Sequence, residues 1–136
     1  CGTAFYAALT AKYWFEQIAR VPVEVDIASE FCYRGMVMPE GGLAIFVSQS
    51  GETADTLAAL RYCREQGQKI LSIVNVPECT IARESDAVLH TNAGPEVGVA
   101  STKAFTTQLT VLASLVIGAA SLRGAIDRVR RTAGLQ

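Results

Sequence analysis

The sequence predicts an α/β fold built on a parallel sheet. Two observations carry this. Helix-like and strand-like patterns alternate along the chain, as they do where helices cover a sheet. Residues 43–47 and 69–74 are near-continuous apolar runs, the pattern of strands covered on both faces. A third observation joins them: the helix pattern between the runs stops at Gly67, a residue suited to ending a helix.

Taken in order, residues 6–19 read as a helix that ends before Val21-Pro22. Residues 23–27 alternate Val, Glu, Val, Asp and Ile, which predicts a strand near a sheet edge. Residues 28–33 read as a short helix, and Pro39-Glu40-Gly41-Gly42 as a turn. The buried strand 43–47 is followed by a loop at 48–52 and a helix at 53–66. The second buried strand, 69–74, leads into a connection over 75–84 that contains Pro77 and room for a helical turn. A short strand follows at 86–89, then a loop over 91–100 with Gly94, Pro95 and Gly98. Ser101 is placed to cap a long last helix with Phe105, Leu109, Leu112, Val116 and Ala120 on one face. Gly124 is expected to set off a final short helix. With no linker and no internal repeat, residues 1–136 are read as one domain.

Half of the chain is hydrophobic, enough to bury a core, and the net charge is -1. Arg123, Arg128, Arg130 and Arg131 interleave with apolar residues, which suits a solvated helix face and predicts no nucleic-acid partner. Cys1, Cys32, Cys63 and Cys79 form no C-x-x-C pair, so they read as small core residues in a reducing, cytoplasmic setting. The apolar stretch 109–120 is shorter than the roughly 20 residues of a membrane helix, and no leader pattern precedes it. No membrane association is expected. The chain opens on Cys1-Gly2-Thr3 without an initiator Met and is read as an excerpt of a longer polypeptide.

The chemistry concentrates in Ser48-Gln49-Ser50-Gly51-Glu52-Thr53, between a buried strand and a helix. Open α/β sheets bind ligands at the carboxyl ends of their strands. A helix N-terminus adds unpaired N–H groups and partial positive charge, which favour an anion. Ser48, Ser50 and Thr53 bring hydroxyls and Gln49 an amide, while Gly51 permits close approach or a positive φ. Glu52 would repel a phosphate and is expected to face away. The competing reading is an ordinary helix cap by Ser50 or Thr53, but four donors around one glycine exceed what a cap requires. Gly2-Thr3 and Val99-Ala100-Ser101-Thr102-Lys103 open two further helices and are placed to converge on the same end of the sheet. Taken singly, Thr3 and Ser101 read as N-caps, and Lys103 as a solvated helix residue. Neither G-x-G-x-x-G nor a G-x-x-x-x-G-K-[ST] motif occurs, so nucleotide binding is unsupported.

Several stretches resemble the isomerizing glutamine–fructose-6-phosphate aminotransferases, or glucosamine-6-phosphate synthases. They include Cys1-Gly2-Thr3, Tyr13-Trp14-Phe15-Glu16, Ala28-Ser29-Glu30-Phe31, Arg83-Glu84-Ser85-Asp86 and Thr91-Asn92-Ala93-Gly94. The most specific are the run from Ser48 through Ala54-Asp55-Thr56-Leu57 and the run from Gly98 to Leu109. The likeness covers residues 1 to 122 and corresponds to the first sugar isomerase (SIS) half of the isomerase region. It implies a three-layer αβα sandwich with a doubly wound, mainly parallel five-stranded sheet whose first strand is cut off before Cys1. It implies that Ser48, Gln49, Ser50 and Thr53 hold the phosphate of fructose 6-phosphate or glucosamine 6-phosphate. Thr3, the Val99 backbone and Ser101 would line the sugar. Many members carry Ser where this chain has Ala4, so the resemblance implies no side-chain hydroxyl contact there.

The resemblance implies an enzyme that makes glucosamine 6-phosphate from fructose 6-phosphate and glutamine, the first step of amino-sugar synthesis. It also implies that no catalytic residue lies in this chain: the acid/base glutamate, ring-opening histidine and Schiff-base lysine belong to a second SIS half and a C-terminal tail. The family's cysteine nucleophile belongs to its glutaminase domain, whereas the surroundings of Cys1 match the isomerase region. The one histidine, His90, is expected to be structural or solvent-facing. No metal or cofactor is expected. The expected partners are the sugar phosphate, the second SIS half, the glutaminase domain and a second copy of the chain in a homodimer. Two other readings stand beside this one: a sugar-phosphate-sensing SIS module of a regulator, and a purely structural dimerisation domain.

Overall fold

The computed structural model describes residues 2–94 and 102–134, without the side chains of 125–127 and 129–131. Helix α1 is Thr3–Trp14, and a π-helical turn, Phe15–Ala19, extends it. Helix α2 (Ala28–Phe31) precedes strand β1 (Leu43–Ser48), helix α3 (Ala54–Glu65) and strand β2 (Lys69–Val74). Helix α4 (Thr80–Arg83), strand β3 (Ala87–His90) and helix α5 (Thr102–Thr132) complete the order.

The sheet order is β1-β2-β3, and both pairs are parallel. In register, Leu43 faces Lys69 and Ser48 faces Val74, while Leu71 faces Ala87 and Val74 faces His90. Strand β2 is central and buried from Ile70 to Val74, which explains why Ser72 alone interrupts its apolar run.

Alternation along the strands sorts the core into two halves. Ile45, Val47, Ile73 and Leu89 point to α1 and α5, where they meet Ala7, Ala11, Leu112 and Val116. Ala44, Phe46, Ile70, Val74 and Val88 point the other way, to α3 and α4, where they meet Leu60, Cys63 and Ile81. The sheet thus lies between two helical layers, as a doubly wound three-layer sandwich requires. Small residues at Ala7 and Ala11 of α1 are buried at this contact and let α5 approach closely. The last turn of α1 widens to a π turn and ends at Arg20 in the left-handed region, two residues before Pro22.

Four expectations are corrected. Among the described residues the sheet has three strands, one fewer than the four of the expected five that would lie within the chain. Residues 23–27 form no strand, because side chains take their backbone groups. Glu16 accepts from the Val23 N–H and Lys12 donates to the Val23 carbonyl, while Asp26 accepts from the Ile27 N–H and turns the chain into α2. Gly124 does not divide α5, since one glycine costs only about 1 kcal/mol in a helix of 31 residues. Finally, Thr102–Gly124 is long and apolar enough to cross a membrane by length and composition. In this fold one face of that helix packs on α1 and the sheet, through Phe105, Leu109, Leu112, Val116 and Ala120 as expected.

Among the described residues Cys32, Cys63 and Cys79 are free thiols. Burial on the inner face of α3, with Cys32 nearby, pushes the Cys63 thiol up to about 11. At neutral pH a disulfide reagent should therefore modify Cys32 in the folded protein, and reach Cys63 only on unfolding. Thiol titration with and without denaturant checks this; rapid native labelling of Cys63 would contradict the packing described.

Candidate functional site

The Ser48–Thr53 loop leaves the carboxyl end of β1 and opens α3. Ser48 is buried at the strand end, and its Oγ accepts the Gly51 N–H at 3.0 Å. Ser50 is exposed, and its Oγ accepts the Glu52 N–H at 3.2 Å. Both hydroxyls accept from the loop's own backbone, and among the described residues their O–H groups have no acceptor. The Gln49 carbonyl accepts the Asn75 N–H at 3.3 Å, which ties the loop to the end of β2. The Gln49 Oε1 is buried and has no partner among the described residues.

Thr53 occupies the N-cap position of α3 in extended conformation, but no side chain caps the helix. The capping reading of Ser50 and Thr53 therefore fails. Among the described residues the first-turn N–H groups of α3 lack a side-chain acceptor at the end where the helix dipole is positive.

The loop rests on the turn that opens α4. Gly51 has φ +71°, and a Cβ there would lie 2.1 Å from Cys79 Sγ and 2.7 Å from Cys79 Cβ. Only glycine fits. The Gly51 carbonyl accepts the Ile81 N–H at 3.1 Å. Glu52 faces away from the α3 opening, as expected, and its two oxygens accept the Thr80 N–H at 2.8 Å and the Thr80 hydroxyl at 2.6 Å. These two bonds, with attraction from Arg83, hold the Glu52 carboxyl below the usual carboxylate range against a smaller opposing effect of desolvation.

Thr3 is half-buried and opens α1, where Gly2 supplies no side-chain cap. Ala4, also half-buried, adds no hydroxyl. Val99 and Ser101 lie outside the described residues. Lys103, in the first turn of α5, is exposed and lies over Gly94: a Cβ on Gly94 would sit 3.6 Å from its Nζ. His90 is exposed at the end of β3 and borders a largely apolar groove of about 580 Å³ against α5, which holds none of the predicted site residues. Among the described residues no cluster of His, Cys, Asp or Glu is suited to a metal ion.

Two sets of residues escaped sequence reasoning. Asn75 braces the carboxyl ends of β2 and β3: its Oδ1 accepts from Thr91 Oγ at 3.0 Å and the Ala93 N–H at 2.7 Å, and its Nδ2 donates to the Gly94 carbonyl at 2.8 Å. It borders an open cavity of about 420 Å³ with Pro77 and Asn92. Cys79 and Thr80 form the seat of the loop. The available signal was an Asn directly after a buried strand, which sequence reading treated as plain connection.

Gly51→Ala should destabilise the fold by about 2–4 kcal/mol, because it combines positive-φ strain with overlap on Cys79; denaturant unfolding measures this. Glu52 adds a pH dependence. Its carboxyl titrates lower in the folded state, so its contribution is complete above the ordinary carboxylate range and lost as pH falls through the depressed value. Glu52→Gln should flatten the fall in stability between roughly pH 5 and pH 3, read from denaturation midpoints across that range.

The SIS domain family matches residues 1–118. The chain is 72% identical over 130 residues to the glutamine–fructose-6-phosphate aminotransferase (isomerizing) of Brucella abortus biovar 1 (strain 9-941), covering 96% of this chain and 21% of that protein. It therefore spans about a fifth of the length of the curated relatives it matches. The solved C-terminal domain of glucosamine-fructose-6-phosphate aminotransferase from Francisella tularensis superposes with a TM-score of 0.88 at 51% identity, over 91% of this chain and 35% of that one. A glucosamine-6-phosphate deaminase from Thermotoga maritima superposes with a TM-score of 0.81 at 28% identity, over 89% of this chain and 38% of its own. A parallel sheet between two helical layers, an uncapped helix behind a Ser-Gln-Ser-Gly loop and a family match over most of its length together make this chain a member of the SIS domain family.

Proposed function

We propose that this chain is the first sugar-phosphate-binding half of the isomerase region of an isomerizing glutamine–fructose-6-phosphate aminotransferase. The observation that carries this reading is the opening of α3. Among the described residues no side chain caps it and the Ser48 and Ser50 hydroxyl protons have no acceptor, and the one acid in the loop is tied down elsewhere. A phosphate group of fructose 6-phosphate would accept from Ser48, Gln49, Ser50 and Thr53 and from the first N–H groups of the helix. The donors are neutral, so the ligand's charge is met by hydrogen bonds and the helix dipole rather than by an ion pair. Asp55 in the first turn of α3 opposes this modestly, and its exposure lets water screen it.

Thr3, the Val99 backbone and Ser101 are assigned to the sugar end of the ligand. This half holds and orients the substrate. Proton transfer, ring opening and amino transfer belong to the second SIS half, the C-terminal tail and the glutaminase domain, for which the greater length of the relatives leaves room. The assembly is read as a cytoplasmic homodimer, with free thiols at Cys32, Cys63 and Cys79 consistent with a reducing compartment.

Titration calorimetry of fructose 6-phosphate against the intact protein tests the phosphate assignment. Ser50→Ala should weaken binding about tenfold or more, the loss of one hydrogen bond to a charged group. Unchanged affinity in a folded Ser50→Ala protein would place the phosphate elsewhere. The 136-residue chain alone should show no isomerase activity.

A further inference from the structure

Sequence alone gives no reason for an acid beside a phosphate loop. In the structure Glu52 has a definite task. It accepts two hydrogen bonds from Thr80, at 2.8 Å from the N–H and 2.6 Å from the hydroxyl. The neighbouring Gly51 carbonyl accepts from Ile81 N–H at 3.1 Å. Two successive loop residues are therefore pinned by two successive residues of α4. Thr80 Oγ in turn accepts from Arg83 at 3.2 Å, and Arg83 also donates to the Glu78 carbonyl. The acid's charge is thus met within the α4 turn, away from the opening of α3.

We propose that Glu52 is a positioning residue for the sugar phosphate: bound to Thr80, it holds the Ser48–Thr53 loop in the one register that keeps Ser48, Ser50 and the α3 N–H groups convergent. It makes no contact with the ligand. The inference rests on the phosphate assignment above and extends it from the donors to what aims them. Gly51 packs on Cys79 and its carbonyl accepts from Ile81, and Glu52 adds the side-chain tie to Thr80. A carboxylate suits this task because it accepts from both Thr80 donors at once, which neither Ser nor Asn does with two equivalent oxygens.

The sign of the effect separates this role from its opposite. An acid directed at the phosphate would repel it, so its neutralisation would tighten binding. An acid that positions the loop makes binding weaker when removed. Steady-state kinetics and calorimetry with fructose 6-phosphate, on the intact protein, should show Glu52→Ala raising Kd and KM roughly 3- to 30-fold, with the loss falling on KM rather than kcat. Glu52→Gln keeps one acceptor and should lose less. Thr80→Val should lose affinity too, and the double variant should be little worse than Glu52→Ala alone, since both remove one interaction.

Arg61→Ala is the control for stability alone. It removes the Arg61–Glu84 pair, at 2.8 and 3.0 Å, which anchors the far end of α4 to α3. It should lower the unfolding midpoint without moving KM. If Ser50→Ala weakens binding while Glu52→Ala and Glu52→Gln bind as the parent does or more tightly, the positioning role is overturned and the phosphate site stands. If Ser50→Ala is also without effect, the phosphate assignment falls, and the positioning role with it.

Discussion

The contact of Gly51 with Cys79 is the constraint on which the site depends. A backbone in the left-handed region lies so close to a buried side chain that no Cβ fits between them. This contact fixes where the loop leaves β1 and therefore where α3 begins. Cys79 is held in turn by the core beneath it, with Ile81, Val74 and Leu60 as neighbours in the same apolar cluster. The polar surface of the site is thus set by apolar packing one layer below, where a small displacement is opposed by close-packed neighbours.

Electrostatics follow from the same arrangement. The start of α3 carries partial positive charge and no side-chain cap, a state that leaves donors free for an anion. Two acids of the α3–α4 layer are met locally: Glu52 by Thr80, with Arg83 close by, and the Glu84 carboxylate by Arg61, while Arg64 donates to the Glu84 backbone carbonyl. Arg61 holds the Glu84 carboxyl below the usual carboxylate range, as Thr80 does for Glu52. Away from the site, a pair held by one contact, such as Arg34–Asp26, contributes little to stability, unlike the bidentate Arg61–Glu84 pair. Near the loop the two Glu52–Thr80 hydrogen bonds matter for direction rather than for energy, because they turn a negative charge toward α4.

Three buried polar atoms have no partner among the described residues: Gln49 Oε1, Ser72 Oγ and Gln108 Oε1. Ser72 lies within the central strand, whereas Gln108 is on α5, on the same side of the sheet as Ile45 and Val47. Such groups are costly unless satisfied, and these three fall at three places: the loop after β1, the α3 side of β2 and the α5 side of the sheet.

Much of this protein was determined by its sequence. The apolar runs that became β1 and β2, the helix stopped at Gly67 and the apolar face of α5 are local patterns, and local patterns survive folding. The donor cluster at 48–53 was legible for the same reason, since its residues are contiguous. The tertiary structure decided the rest. Residues 23–27 carry a strand-like alternation, yet Lys12 and Glu16 take the Val23 backbone and no strand forms. Whether Ser50 and Thr53 cap α3, where Glu52 turns, and that Cys79 requires a glycine at 51 all depend on residues roughly 30 positions apart in sequence, brought together only when α4 packs beside the loop. Periodicity reports which face of an element is buried; it does not report which element will lie against it.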